Sequence, residues 1–585
     1  MTTAHVPHQT DPGSALADPP PIPPHASEAT RLLCAGAYLD PRYRDRVIDE
    51  LYLDEQRIVA PSLGIDAARV LAHALRARKQ EQLWAAAIVG LWIVGLPLSG
   101  WLLAGVLYPS LLLALAPWLR GRAAEPPLYR RVAAFVARWW GRVIFAYFLF
   151  IAVSIAFGDG GDDDSGYGSA YDPYDLSDPE SVSLTDLLVP AADDLAELID
   201  PWQAWMALGV LALIALCVAA QRGQFARALT AELSPQRFPD AASDPAERAE
   251  GQRFRRVMHR IRVEQHAPLV MYHEARPFCG AGAAYDTWVL AVELRPDEDA
   301  TQQPLSNRAI LERIRPLLEQ LRVPAEYAGT AVRDRLRRLE IDECVFLPAE
   351  GLLRRDQAPY GPEQFEQHRA RAVEEGGEKR RHFLRIRVGG WEEELVVTVF
   401  VRIHTQGRML MLEIAPHVLT PVRADFKDAD RAAHRLRHDN VVGKALTALL
   451  LTPRSLGLAL VTLGHGARYA WRLLTGGHSA ALPDGPAVSV RELGSVPDGS
   501  TFQEMDTARY LRTVQDRIGH GVRLALAEAG YETGEFVQKI INVSEGAVHI
   551  GRADNSSFAF GEHASSSTVN SGPEPQKGPA SDGGK

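Results

Sequence analysis

The sequence predicts an α+β protein: a four-helix transmembrane region that includes a short-armed hairpin, joined to a cytoplasmic α+β domain built on an antiparallel sheet. Three observations predict it. Leu83 to Leu119 carries no charged side chain; at about 20 residues per crossing this is too long for one span and long enough for two short ones. Arginines gather at the ends of this and later apolar runs, as they do at the cytoplasmic ends of membrane helices. From Phe383 to Ile414 apolar and polar residues alternate with the period of a strand.

The chain has 585 residues, 46% of them hydrophobic, which allows about four structural units at roughly 150 residues each. Its formal charge of -10 comes from one stretch, Gly158 to Asp200, which holds 13 Asp or Glu and no Lys or Arg. The remainder is nearly balanced, so nothing points to nucleic acid as a partner. Cys34, Cys217, Cys279 and Cys344 are scattered, without the spacing of a metal site or a disulfide framework. They are expected as small buried apolar residues.

Residues 1–29 hold seven prolines up to Pro24 and no basic start or apolar block, so they are expected as a disordered tail and not a signal peptide. A helical segment follows over 30–82. Its first helix is expected over Arg46 to Val59, ended by Pro61, and its second is capped by Asp66 and runs past Arg76, Arg78 and Lys79 into the membrane at Leu83.

The transmembrane region is placed at 83–222, with spans near 83–98, 101–119, 143–158 and 202–221. Pro97, Ser99 and Gly100 break the hairpin; whether its arms fully span or form a re-entrant pair stays open. Six arginines lie between Arg120 and Arg142, and Arg222 and Arg227 close the last span. Keeping all these cations inside requires two crossings between the first two clusters, which puts both termini in the cytoplasm and the acidic 159–200 loop outside. That loop, rich in Asp, Gly and Tyr, lacks the alternating acids, central Gly and closing Glu of a calcium loop, and is expected to be solvated.

A cytoplasmic α+β domain is expected over 223–475. Strands are read at Leu269 to Ala275, Thr287 to Leu294 and Arg337 to Leu347, helices at Asn307 to Leu321 and Gln364 to Glu375. A meander of Phe383 to Val388, Leu395 to Ile403 and Met409 to Ile414 has short Gly-containing turns. Val441 to Leu474 is apolar but interrupted by Lys444, Arg454, Arg468 and Arg472, so a crossing is not expected. Packing against the sheet is favoured over a basic amphipathic pair on the inner leaflet. A small unit at 487–561 is expected to hold a helix capped by Asp506 and ended by Gly530, then short β segments at 546–551 and 556–561. Residues 562–585 read as a disordered tail.

The blocks Leu33 to Asp40 (LCAGAYLD), Arg276 to Gly282 (RPFCGAG) and Val401 to Val422 (VRIHTQGRMLMLEIAPHVLTPV), in this order around a membrane hairpin, resemble a group of uncharacterised large multi-pass membrane proteins of actinobacteria. The resemblance runs from Thr30 to about Leu474. It implies a shared architecture and no activity.

No motif specifies a reaction. Gly280-Ala-Gly282-Ala-Ala-Tyr285 begins like a dinucleotide fingerprint, but Tyr285 replaces the third glycine and a strand follows where the helix should be; it reads as a hairpin turn. Gly443-Lys444 lacks the first glycine and the Ser or Thr of a phosphate loop. His273 with Glu274, and His404 with His417, have neither metal spacing nor a nucleophile. Glu274, His404 and Glu413 are the best candidates for an overlooked site, since strand interiors hold such groups where burial can perturb them. No catalytic, cofactor or metal residue is assigned, and no cofactor is implied.

Three classes of function follow: a membrane-anchored sensing, scaffolding or signalling component whose cytoplasmic domain binds a ligand or partner; an oligomeric pore or transport component; and a membrane-anchored enzyme with an unrecognised site. The first is favoured, because no catalytic constellation is visible and the spans hold no acid, Lys or Arg to line an ion path. The expected partners are the lipid bilayer and a protein, either another chain or a second copy of this one. The arginine asymmetry makes a topological prediction. A cysteine at Ser165 should react with a membrane-impermeant thiol reagent in intact cells, and one at Ser306 only after permeabilisation; labelling at Ser306 in intact cells overturns the orientation.

Overall fold

The computed structural model describes residues 22–121, 126–157, 200–248, 251–322, 336, 338–391, 394–438, 440–475 and 481–545. The first 21 residues, the 159–199 part of the expected external loop, the β segments expected at 546–551 and 556–561, and the final tail lie outside them.

Structure begins before Thr30. A single helical turn at Pro24–Ala26 precedes α1 (Glu28–Leu39), whose first turn is capped by Ser27 through the Thr30 amide at 3.2 Å. The helix expected over Arg46 to Val59 is shorter: α2 (Pro41–Ile48) ends in a π turn at Asp49–Leu53. Tertiary bonds claim the residues beyond, since Ile58 N donates to the Asp484 carbonyl and Val59 N to Glu264, each at 2.9 Å. α3 (Ala67–Leu98) is one continuous helix from the soluble body into the apolar run, with Asp66 as its cap.

The hairpin turns at Ser99 to Trp101, where Gly100 (φ 57°) and Trp101 (φ 68°) are left-handed; a Cβ on Gly100 would collide with Gln203. A 3-10 turn at Leu102–Val106 leads into α4 (Leu107–Arg120). α5 (Leu128–Phe157) and α6 (Pro201–Arg227) complete a bundle cored by Ile88, Trp92, Leu103, Phe145, Val210 and Ile214. Its exposed surface is apolar, including Ile93, Leu111, Phe150 and Leu216, as a lipid-facing surface must be.

Beyond α6, α7 (Gln252–Gln265) packs on α3. Seven strands then form a mixed sheet: β1 (Leu269–Tyr272), β2 (Ala283–Ala284), β3 (Trp288–Glu293), β4 (Leu339–Pro348), β5 (Arg381–Gly390), β6 (Leu395–Gln406) and β7 (Met409–Leu419). The order runs β1-β4-β5-β6-β7-β2, with β3 also on β7. The meander is antiparallel, as its short turns require, and only β1 joins in parallel, on β4.

Both faces of β5 and β6 are buried. One face carries Leu384, Ile386, Val397, Val399 and Val401 under α8 (Asn307–Glu319) and α12 (Thr501–Glu528). The other is centred on Phe346, Phe383 and Phe400 beneath Phe278. The helix expected within a separate 487–561 unit is thus a core element of the sheet domain. Its cap is Ser500, whose hydroxyl accepts from Gln503 N, while Asp506 takes the Trp391 indole at 3.0 Å.

The apolar run at 441–474 is also seated elsewhere than on the sheet. After α9 (Pro362–Glu374), α10 (Ala429–His438) and α11 (Val441–Thr475) come in succession, and α11 packs on α3, α4 and α6. Its length and hydropathy would suit a crossing. Both of its ends stay near the body: α10, polar and only 10 residues long, is tied to it by Arg31–Asp430, and the chain after α11 returns to it through Asp484 and Ala487. The middle of α11 lies where α3 enters the bundle, with Thr462 on Glu81 and Gly466 against Gln82. The cations that interrupt its sequence are consistent with that shallow level.

The membrane helices are fastened to the body by a buried charge network. Arg69 in α3 is 1% exposed, donates from Nε and Nη2 to Asp244 at 3.0 and 2.8 Å, and stacks on Phe238 at 3.7 Å. His73 meets the same carboxylate at 3.0 Å and the Tyr38 hydroxyl at 3.2 Å. Removing one partner strands a buried charge, so Asp244→Ala should lower stability by about 3 to 5 kcal/mol. Denaturant titration of the full chain in detergent checks this, and a loss under about 1 kcal/mol, the size of a surface pair, would contradict it.

At the sheet's helix-covered face, Glu343 gathers His382 at 3.1 Å, Arg369 at 2.9 Å and Arg315 at 2.8 Å. The His382 hydrogen bond and then Arg369 hold its carboxyl down to about 2, against the opposing effect of partial burial. A depressed carboxyl contributes stability that is present above its unfolded value of about 4.5 and is lost as pH falls toward about 2. Glu343→Gln should therefore flatten the loss of stability across that window. Parallel curves for parent and variant would refute the assignment.

Candidate functional site

A cleft of about 820 Å³ opens where the helical body meets the sheet domain, between α7, the turn at Glu55 and Gln56, the 353–360 loop and Ala481 to Pro483. Its walls join charge to apolar surface: Arg260, Glu264 and Val263 from α7, and Leu353, Arg355, Ala358 and Tyr360 from the loop. The loop is braced from beneath, since Leu352, Ala358, Tyr360 and Phe365 pack on Ile58, Leu269 and Met271.

Most charges in the cleft are already committed. Glu264, 3% exposed, takes Arg355 through Nε at 2.9 Å and through Nη2, and also accepts Val59 N. Arg355 Nη1 donates to the Glu55 carbonyl at 2.7 Å. Arg253 holds Glu55 and stacks on Tyr52, and the exposed Arg354 holds Asp356. Burial pushes the Tyr360 phenol well above its usual range, so it stays protonated.

Arg260 is the exception. Its Nε and Nη2 are buried without a hydrogen-bond partner. Burial, then the neighbouring Arg355, lowers its affinity for a proton, yet a guanidinium remains charged at neutral pH. Nε and Nη2 form the edge that clamps a carboxylate with two parallel bonds. In this same protein that edge holds both oxygens of Glu28 on Arg31 and of Glu264 on Arg355, and a single oxygen of Asp244 on Arg69. On Arg260, a residue that lines the cleft, that edge is buried and unpaired.

The residues singled out from sequence are not assembled into a site. His404 and Glu413 share one sheet face at 3.9 Å, but Glu413 is engaged by Arg402 at 3.2 Å and Arg381 at 3.6 Å. Burial and then Arg402 lower the His404 pKa, and its Nδ1 is buried without a partner. Glu274 lies in an exposed turn and pairs with Lys379 at 3.6 Å. His417 bonds the Ala415 carbonyl and stacks on Phe278, and His273 faces Asp484.

The Gly280–Gly282 turn does cradle an anion, but an internal one: both glycine amides donate to Glu492 Oε1, at 2.7 and 3.1 Å. Burial raises the Cys279 and Cys344 thiols, the latter to about 12, which keeps them out of the nucleophilic thiolate form. Among the described residues no group of three or more His, Cys, Asp or Glu could hold a metal ion. Sequence reasoning missed Arg260 because one arginine on a basic helix has no local signature; only the tertiary pairing of its neighbours sets it apart.

A family described as an AbeC-like domain matches residues 287–556. The match begins at the edge of β3 and extends past α12, so it takes in most of the sheet with its core helix, and also α11. No curated protein matches the chain, and no solved structure matches it.

Proposed function

We propose that this chain is a multi-pass protein of the cell membrane, with both termini in the cytoplasm, that senses a small anionic molecule in the Arg260 cleft. The observation that carries the reading is the buried, unpaired Nε–Nη2 edge of Arg260, a residue that lines a cleft of drug-like size. A carboxylate or phosphate fits that edge bidentately, and Val263, Leu353, Ala358 and Tyr360 offer apolar contact to the rest of the molecule. The kinship read from sequence with large actinobacterial membrane proteins belongs to the same proposal.

The position of α7 supports sensing. Its last residue, Gln265, accepts Ala67 N at 2.8 Å and donates to Asp66 Oδ1 at 3.0 Å, so the helix carrying Arg260 and Glu264 also caps the membrane-entering α3. A ligand that draws Arg260 or loosens Arg355 from Glu264 acts on an element bonded to a membrane helix. Binding alone changes nothing downstream unless the two states differ in affinity, and this shared helix supplies the physical connection.

The test is ligand-dependent stabilisation of the full chain in detergent, screened against phosphorylated metabolites and small carboxylates. A ligand at 100 times its Kd should stabilise by about 2.7 kcal/mol, and Arg260→Gln should remove the effect while leaving the melting temperature without ligand nearly unchanged. A panel that stabilises neither protein, or stabilisation that survives in Arg260→Gln, overturns the reading.

A further inference from the structure

A second set of arginines stands without counterions, at the border of the apolar bundle. Arg120 ends α4, and Arg131, Arg138 and Arg142 follow on α5 at spacings of seven and four, which place them along one side of that helix. Arg454 reaches the same level from α11: Gly457 lies against Ala114 of α4, and Arg138 and Arg142 are the charges that act on Arg454. Three helices thus bring cations to the same end of the bundle, spread along about 16 Å of α5.

Among the described residues no carboxylate pairs with any of these five, and the one side-chain bond among them is Arg138 Nε to the Ala134 carbonyl at 3.0 Å. The soluble body treats arginine otherwise, with Arg31, Arg57, Arg69, Arg76, Arg355 and Arg385 each held by an acid. Like charges gathered beside a low-dielectric region repel one another unless an anion joins them. Among the described residues no acid supplies that anion.

The space for it has a defined shape. A cleft of about 400 Å³ is lined by Arg120, Arg131 and Arg138 together with Leu128, Val132 and Phe135. Those three apolar side chains are exposed, Leu128 by 76%, and Trp139 and Trp140 stand exposed beside them, as residues at a headgroup level do. A free phosphate would use the guanidiniums and leave the apolar wall bare. A phospholipid uses both.

We propose that this cleft between α4 and α5, with Arg454 of α11 as a further cation beside Arg138, binds the phosphate headgroup of an anionic phospholipid. Guanidinium groups clamp the phosphate, while Leu128, Val132 and Phe135 line the acyl chains. Basic pockets between membrane helices recognise lipid in this way by general electrostatics. Because α11 supplies one of the cations, lipid binding also fixes α11 against the bundle.

The experiment uses the full chain reconstituted in nanodiscs of phosphatidylcholine with phosphatidylglycerol, extracted into mild detergent, with retained lipid measured by mass spectrometry. Phosphatidylglycerol should be retained in preference to phosphatidylcholine. Combining Arg131→Gln, Arg138→Gln and Arg454→Gln should lower retained phosphatidylglycerol by at least about ten-fold, whereas Arg468→Gln, an exposed arginine elsewhere on α11, should leave it unchanged. If the triple variant does not elute as the parent does, Arg131→Gln and Arg454→Gln are read singly, and each should reduce retention. Equal retention in parent and variants, or loss equally large in Arg468→Gln, overturns the proposal. Displacement by millimolar inorganic phosphate as effective as by phosphatidylglycerol overturns the lipid assignment in favour of free phosphate.

Discussion

The buried contact of Arg69 with Asp244 and His73 is the constraint on which the arrangement depends. Arg69 and His73 sit one turn apart on α3, just before it enters the apolar bundle, and Asp244 belongs to the segment that leaves α6. The first and last hairpin-forming helices are therefore tied at their feet by charge, inside a core that also holds Tyr38, Phe238 and Ile261. A hydrophobic contact there could slide by a turn. A buried ion pair, with Nε and Nη2 both on Asp244 Oδ2, fixes one register, because any other leaves a guanidinium buried without a partner. The same foot takes Gln265 as an additional cap, so the ends of α3, α6 and α7 are fixed together.

That foot also explains the place of α11. A helix of its length and hydropathy would cross a membrane by composition alone. Its neighbours hold both of its ends to the body that Arg69 anchors, α10 before it and the Asp484 segment after it. The helix runs instead along the bundle entrance, where Arg78 stacks on Tyr469 at 4.2 Å and Arg472 reaches Asp54 at 2.9 Å. Composition measures what a helix can do, and connectivity decides what it does.

The sequence was informative where a local pattern carries the signal and silent where partners come from far away. Alternation over Leu395 to Ile403 located β6, since one face had to be buried; Thr398, Arg402 and His404 on the other face are buried too, with the 376–377 turn against Arg402 and His404 and Phe278 on the adjacent Phe400. Pro97 to Gly100 marked the hairpin turn because backbone geometry is local. Asp506 was the expected cap of α12 and Ser500 is the actual one, since two residues with cap chemistry lay close together and only the fold distinguishes them. The helix expected in a separate unit became a core element of the sheet because periodicity shows an apolar face and not what it faces. Arg260 had no signature at all. A free guanidinium is defined by the pairing of every arginine around it, and that is tertiary information.

Unpaired arginines occur in this molecule in two settings, and different physics opposes each. At Arg260 the opposing effect is desolvation: the unpaired edge of a cation that lines the cleft is shielded from solvent, and an anion that reached it would gain two parallel bonds. At the membrane border it is mutual repulsion among several cations beside a low-dielectric region, which one phosphate relieves for all of them together. The first setting favours a discrete ligand whose affinity depends on one side chain. The second favours an abundant anion of the surroundings, with each arginine contributing a share. Both meet the helices bound at the α3 foot, α7 from the cleft and α11 from the membrane border, so occupancy of either site bears on the same junction between bundle and body.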